Sequence, residues 1–252
     1  MKNISLFIAL RYFKSKGQGF ISFQSGMALG GIAIGVAILI LVTSVMNGFE
    51  RELKTRILQA IPHASIQGSI AKAEVDGISD SLMLNSNVLG VAPYIETQGL
   101  LSSGTYLKGV YIFGIDPQYE KNVSTIESHF IEGSLDSLQD NDYNLVIGDI
   151  LAIQLGLRVG DSVNILVPET TLGLAGILPR TKKFKITGIF SLGAPEIDQS
   201  YIYLNTDNAS KLLRTGESVH GIRIRYSNLF NAKDYIKSDL LRINKEFQKN
   251  YK

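Results

Sequence analysis

The chain has 252 residues, 25 Lys plus Arg against 23 Asp plus Glu, and a formal net charge of +2. With so small a charge and no basic face interleaved with aromatics, the composition argues against a nucleic-acid binder. The absence of cysteine excludes a disulfide framework, thiolate catalysis and zinc sites built on Cys.

Asn3 to Lys16 (NISLFIALRYFKSK) is short and amphipathic. Ile4, Phe7, Ile8 and Tyr12 can share one helical face, and Arg11, Lys14 and Lys16 cluster towards its end. Two readings fit: a segment lying along the inner membrane surface with its basic groups towards anionic lipid, or a solvated tail.

Gly17 to Phe49 contains no charged side chain and is most apolar from Met27 to Val45. About 20 apolar residues suffice to span the hydrocarbon core of a bilayer, so the run predicts a transmembrane helix. Lys2, Arg11, Lys14 and Lys16 precede it without an acid, and Glu50, Arg51, Glu52, Lys54 and Arg56 follow with nearly balanced charge. The positive-inside rule then places the N-terminus in the cytoplasm and everything after residue 50 on the far side. A cleaved signal peptide fits less well. The run exceeds the roughly 7–15 residues of its apolar region, and Ser44 to Gly48 offers no A-x-A-like cleavage site. Gly26, Gly30, Gly31 and Gly35 form two overlapping small-xxx-small spacings, which let a second helix approach closely. Phe49, Leu53, Ile57 and Leu58 continue the helical spacing, and Pro62 marks a boundary near Ala60. This predicts a rod leading out of the membrane.

Beyond Ala64 short strands and helices alternate. Strand-like segments are Ala64 to Gly68, Val88 to Thr97 with Pro93 at an edge or bulge, Tyr106 to Ile115 ending at an Asp116-Pro117 turn, and Leu145 to Ile147. Val163 to Val167, Phe184 to Phe190, Tyr201 to Leu204 and Val219 to Tyr226 follow. Helices are predicted at Ile78 to Leu84, Gly148 to Leu155 with Gly156 as C-cap, Thr206 to Leu213 with Asn205 or Thr206 as N-cap, and Asn231 to Gln248. The later half thus reads β-α-β-α, a small α/β sandwich, and Val88 to Phe190 is more purely β. Pro168 to Arg180 (PETTLGLAGILPR) sets Leu172, Leu174, Ile177 and Leu178 around Gly173 and Gly176. It reads as a hairpin tip with exposed apolar side chains, an interaction site, or else as a loop folded back on the core. Arg180, Lys182, Lys183 and Lys185 follow. They protect an edge strand or meet an acidic rim on a partner.

No phosphate-binding G-x-x-x-x-G-K-[ST], H-E-x-x-H or G-x-S-x-G is present. His63, His129 and His220 are isolated, and Glu196 and Asp198 fall in a predicted loop. The sequence therefore offers no catalytic residues, no metal ligands and no cofactor site, and it does not argue for an enzyme.

Several runs carry a resemblance. SVMNGFERELKTRIL (Ser44 to Leu58) resembles the end of the first membrane helix in the LolC/LolE permease subunits of the bacterial lipoprotein-releasing ABC transporter, and LFIALRYFKSK is similar to their N-terminus. VAPYIETQG (Val91 to Gly99), VYIFGIDP (Val110 to Pro117), NLVIGDILAIQLGLRVGD (Asn144 to Asp161) and EIDQSYIYLNTDNASKLL (Glu196 to Leu213) are similar to their exported domain. The resemblance implies an α+β chain with three parts. These are a cytoplasmic amphipathic segment (1–16), a transmembrane helix with its periplasmic extension (17–60) and a MacB-like periplasmic domain (61–252). In that domain an α/β subdomain is interrupted by a β-rich one, here roughly 136–195.

The resemblance further implies a permease of the bacterial inner membrane, paired with a second permease (LolE-like or a second copy) and a separate LolD-like ATPase. Together these extract triacylated lipoproteins and hand them to the periplasmic carrier LolA. A hook that binds the carrier falls on Pro168, Leu172, Gly173, Leu174, Gly176, Ile177, Leu178 and Pro179, and an adjoining pad on Arg180, Thr181 and Lys182. Thr181 and Lys182 are not identical to the family's pad residues. Val42, Val45 and Met46 match positions that line the acyl-chain cavity. The family carries further membrane helices after this domain, so a complete pathway requires segments beyond these 252 residues. MacB-type efflux permeases, FtsX-type mechanotransmitters and single-pass anchored binding or signalling proteins are the alternatives. The first two would not need the apolar hairpin, and the glycine-rich span counts against the third.

Overall fold

The computed structural model describes residues 4, 7, 8, 11, 19–60, 62–139, 142–168 and 179–252, with the backbone alone at 19–22, 51–60 and 230. Helix α1 (Gly19–Ala60) runs 42 residues without a break. It contains no proline, and Pro62 follows directly after its end. Its stretch Phe23–Glu50 has a mean hydropathy of 2.5 and is long and apolar enough to cross a membrane. The chain divides into two units, Met1–Lys54 and Thr55–Lys252.

The second unit is built on a nine-stranded sheet. In chain order come β1 (Ala64–Ala71), α2 (Lys72–Met83), β2 (Val88–Ser103), β3 (Tyr106–Ile115), α3 (Pro117–Val123), β4 (Phe130–Gly133), β5 (Asn144–Gly148) and α4 (Asp149–Leu155). There follow β6 (Ser162–Val167), β7 (Arg180–Phe190), α5 (Pro195–Asp198), β8 (Tyr201–Asn205), α6 (Thr206–Leu213), β9 (Ser218–Tyr226) and α7 (Ala232–Glu246). The strand order is β1-β9-β2-β3-β8-β5-β7-β4, and β6 pairs with both β2 and β7. That double pairing closes β2, β3, β8, β5, β7 and β6 into a ring, so these strands lose the open edges that invite misassociation. The ring encloses Val110, Ile112, Leu145, Ile147, Val163, Ile165, Phe184 and Ile186, all buried in one apolar cluster. Helices α2 and α7 cover β1, β9 and β2, with the Tyr226 hydroxyl donating to Asp239 at 2.8 Å.

Several expectations are revised by the structure. Helix α2 starts at Lys72, earlier than Ile78. Its buried Val75, Ile78 and Leu82 hold the helical spacing, which Glu74, Asp76 and Gly77 obscure in the sequence. Asp116-Pro117 is a helix start and not only a turn. The Asp116 carboxylate accepts from the Gln118 amide at 2.9 Å, and Pro117 occupies the first helical position, where its missing N–H costs nothing. Pro93 is paired with Ile222 of β9 on one side, and β3 joins the other side only from Tyr94. Glu196 and Asp198 belong to α5, where the buried Asp198 carboxylate accepts from the amides of Leu192 (2.9 Å) and Ala194 (3.0 Å). Strands β2 and β7 are longer than their predicted cores.

Candidate functional site

Strands β6 and β7 run antiparallel from Ser162 opposite Lys185 to Val167 opposite Arg180. Pro168 and Pro179 come next, both exposed. Neither has an N–H to extend the ladder, and among the described residues the pairing reaches Val167 opposite Arg180. Leu172, Gly173, Leu174, Gly176, Ile177 and Leu178 lie outside the described residues. Two cavities of contrasting chemistry flank the hairpin base.

The first lies on the β5 side of β7. Pairing with β5 begins at Lys185 opposite Asn144, so among the described residues Arg180 to Phe184 have no strand on that edge. A cleft of about 260 Å³ opens beside it, lined by Tyr143, Arg180, Thr181, Lys182, Lys211, Leu212 and Arg214. Four of these are cationic and none is acidic, which makes the cleft attractive to anionic groups. The Arg180 guanidinium donates to the Leu213 carbonyl at the end of α6. The Lys182 ammonium stands 4.3 Å from the Tyr143 ring centroid, within cation–π range. Tyr143 (φ 54) and Arg214 (φ 58) both hold left-handed backbone, strain of order 1–3 kcal/mol per residue that tends to gather at working surfaces. The sequence singled out Arg180, Thr181 and Lys182. It did not show Lys211 and Arg214, which a different element brings to them.

The second cavity lies on the outer face of the ring. Antiparallel registry sets Leu166, Leu100 and Gly109 in one row, with Gln98 and Tyr111 in the next. With Gly99, Val110, Pro168 and Pro179 they line an open trough of about 580 Å³. Among the described residues no lining side chain is charged. Leu100 and Tyr111 remain 39% exposed, and nothing lies within 4 Å of where a Cβ on Gly109 would project.

The same face continues towards β1 as a series of rings. Tyr201 lies 5.4 Å from Tyr111 and 5.0 Å from Phe113, and Phe113 lies 5.7 Å from Tyr203, centroid to centroid. It ends at Arg223, whose guanidinium stands 5.4 Å from the Tyr94 ring. Arg223 forms a buried ion pair with Glu120 of α3, tying that helix to the sheet. Burial is the largest influence on Glu120 and holds its carboxyl above the usual range, against the opposing pull of Arg223 and Ser124. Burial likewise raises the Tyr203 phenol.

In α1, Val42, Val45 and Met46 occupy i, i+3 and i+4 positions and so share a face. All three are well exposed. Gly26, Gly30, Gly31 and Gly35 have nothing within 4 Å of a built Cβ. The histidines are held by backbone. The Tyr226 amide donates to His63 Nδ1, His129 Nδ1 contacts the Thr125 carbonyl, and His220 Nδ1 contacts the Glu96 main chain. Among the described residues no group of three His, Cys, Asp or Glu could hold a metal ion. The geometry offers recognition surfaces, apolar and cationic, side by side.

The model of the MacB-like periplasmic core domain matches residues 25–236. The chain is 36% identical over 243 residues to the lipoprotein-releasing system transmembrane protein LolC of Xylella fastidiosa strain 9a5c, covering 96% of this chain and 58% of that one. It is 34% identical to LolC of Neisseria meningitidis serogroup B, covering 92% and 56%. The chain thus spans somewhat over half the length of these relatives. Among solved structures it resembles the extracellular domain of the noncanonic ABC-type transporter YknZ from Gram-positive bacteria. There the TM-score is 0.50 at 12% identity, covering 73% of this chain and 88% of that one. At so low an identity this likeness shows the fold alone.

Proposed function

The chain belongs to the family built on the MacB-like periplasmic core domain, and on that premise we propose that it is part of a permease subunit that releases lipoproteins from the bacterial inner membrane. The observation that carries this reading is the identity to LolC along nearly the whole chain, apolar helix and sheet domain together. ATP would be hydrolysed on a separate LolD-like subunit, so this chain is not itself an enzyme.

In this reading α1 crosses the inner membrane with its N-terminus in the cytoplasm, as the basic flank before it requires. The small-xxx-small pairs Gly26/Gly30 and Gly31/Gly35 pack against a second permease helix, LolE-like or from a second copy. Val42, Val45 and Met46 line the cavity that takes the acyl chains of a triacylated lipoprotein. The unbroken helix to Ala60 carries motion from the ATPase side to the periplasmic domain. The segment between Pro168 and Pro179 receives the soluble carrier LolA with Leu172, Gly173, Leu174, Gly176, Ile177 and Leu178, and Arg180, Thr181 and Lys182 support it. Two facts favour this placement: β6 and β7 are paired up to Val167 opposite Arg180, next to the two prolines, and Arg180, Thr181 and Lys182 line the cationic cleft.

The test is capture of the purified carrier by the whole permease. Wild type should retain it, and Leu174→Asp combined with Ile177→Asp should not. Equal capture by both proteins would remove the hairpin from the docking surface.

A further inference from the structure

We propose that the trough on the outer face of the ring is a binding groove for a single lipid hydrocarbon chain, with Leu100, Gly109, Tyr111 and Leu166 as its floor and Pro168 and Pro179 as its walls. The assignment rests on the lipoprotein-release reading for the source of the chain. The groove's chemistry is argued from its own lining.

Three properties of the trough select hydrocarbon over polypeptide. Its floor carries no charge, whereas the cleft on the other side of the hairpin base is lined by four cations. An acidic protein rim is served by that cleft and gains nothing from the trough. Next, the main chain of the floor is already engaged. Leu100 is paired with Gly109 on one side and with Leu166 on the other. A peptide laid along the face would bury amides and carbonyls with few partners, which is costly, while an acyl chain brings no polar group to satisfy. The shape agrees as well. Gly109 interrupts the row between Leu100 and the neighbouring strand, and among the described residues nothing lies within 4 Å of where its Cβ would project. The row is hollowed at the level where Leu100 and Tyr111 stand proud. Gln98 and the Tyr111 hydroxyl are the polar groups at the margin, able to meet a carboxyl or ester at one end of the chain.

The position gives the groove a use. Both walls adjoin the last described pair of the β6–β7 ladder, Val167 opposite Arg180, so a chain held here lies at the root of the segment assigned to the carrier. The groove would be a waiting place on the donor side of the transfer, separate from the membrane helix. Its affinity is expected to be modest, because the trough is open and removes only part of the chain from water.

The experiment uses the full chain in lipid nanodiscs and palmitic acid carrying a diazirine as the probe, with the labelled peptides identified by mass spectrometry. Labelling is expected on the strand segments around Leu100 and Tyr111. Gly109→Trp, whose Cβ enters open space among the described residues and whose ring occupies the trough, should lower that labelling about tenfold, with labelling of α1 unchanged. Should Gly109→Trp shift the melting temperature, Leu100→Gln gives the same reading without added bulk. Equal labelling of wild type and variant, or labelling confined to α1, overturns the groove. Carrier capture is scored in parallel. If the trough is labelled but the Leu174→Asp, Ile177→Asp protein still captures carrier, the hairpin reading falls and the groove stands. If capture depends on the hairpin and the trough stays unlabelled, the groove falls and the hairpin reading stands.

Discussion

In α1, Met27, Ile32, Leu39 and Val42 are each more than half exposed, whereas Ile66, Leu101, Leu145 and Ile186 of the sheet domain have no exposure at all. The two regions use the same class of side chain. One buries it against itself, and the other leaves it exposed. Glycine draws the same contrast. In the domain, a Cβ on Gly148 would overlap the backbone carbonyl of Asp198, and one on Gly133, at φ +79, would overlap the carbonyl of Thr187. In α1, Gly26, Gly30, Gly31 and Gly35 would meet nothing. A glycine forced by its own fold and a glycine in open space look alike in the sequence.

The contrast breaks most visibly at Gly148. Its backbone lies against α5, whose Asp198 holds the Leu192 and Ala194 amides. A valine there has no flexible side chain to displace, only main chain. Gly148→Val should destabilise the domain by roughly 4 kcal/mol or more, in the range reserved for overpacking and backbone strain. The measure is the urea midpoint followed by tyrosine emission, since the chain holds no tryptophan. An unchanged midpoint would mean that α5 is free to move away from β5, and the forced-glycine half of the comparison would fail.

Next in size is the buried pair. Glu120→Ala leaves the Arg223 guanidinium inside the fold with its carboxylate gone, a change worth about 3–5 kcal/mol. Glu120→Leu combined with Arg223→Met should recover most of that loss, because apolar residues of similar volume replace a desolvated pair. The double variant reports whether this end of the sheet face is held by charge or by packing. If both variants unfold equally, Arg223 has a second role on the aromatic face.

Much of the domain was legible because its signals are local. Tyr106 to Ile115 is a strand with both predicted ends. Gly156 closes α4 in the left-handed conformation at φ 64. The Asn205 side chain caps α6 by accepting from the Asp207 amide at 2.8 Å. What escaped is non-local. β6 pairs with β2 as well as β7, and no periodicity in either strand announces that closure. Without it the row of Leu166, Leu100 and Gly109 does not exist. The cationic cleft depends in the same way on Arg180 reaching Leu213, 33 positions along the chain, which brings Lys211 and Arg214 beside Lys182. The hairpin residues could be named from sequence, but the surfaces around its base could not. Asp116-Pro117 misled for a different reason: an N-cap and a turn begin with the same two residues.

The smallest effect on stability is expected where the sequence signal was strongest. Gly31→Leu adds a side chain where, among the described residues, nothing lies within 4 Å of a Cβ. In detergent, the melting of the sheet domain should stay within about 0.5 kcal/mol of wild type, as for a surface change. The same substitution removes the close approach that small residues four apart permit between membrane helices. On the permease reading proposed above, co-purification of the whole permease with a second permease should therefore fall sharply while the fold is untouched. Gly31→Ala, which keeps a small residue at the position, should restore it. Loss of domain stability in Gly31→Leu would show that α1 packs on the chain's own domain. Unimpaired co-purification would show that the glycine face is not where the second helix lies. Either result would erase the distinction between a region that closes on itself and one that is completed from outside.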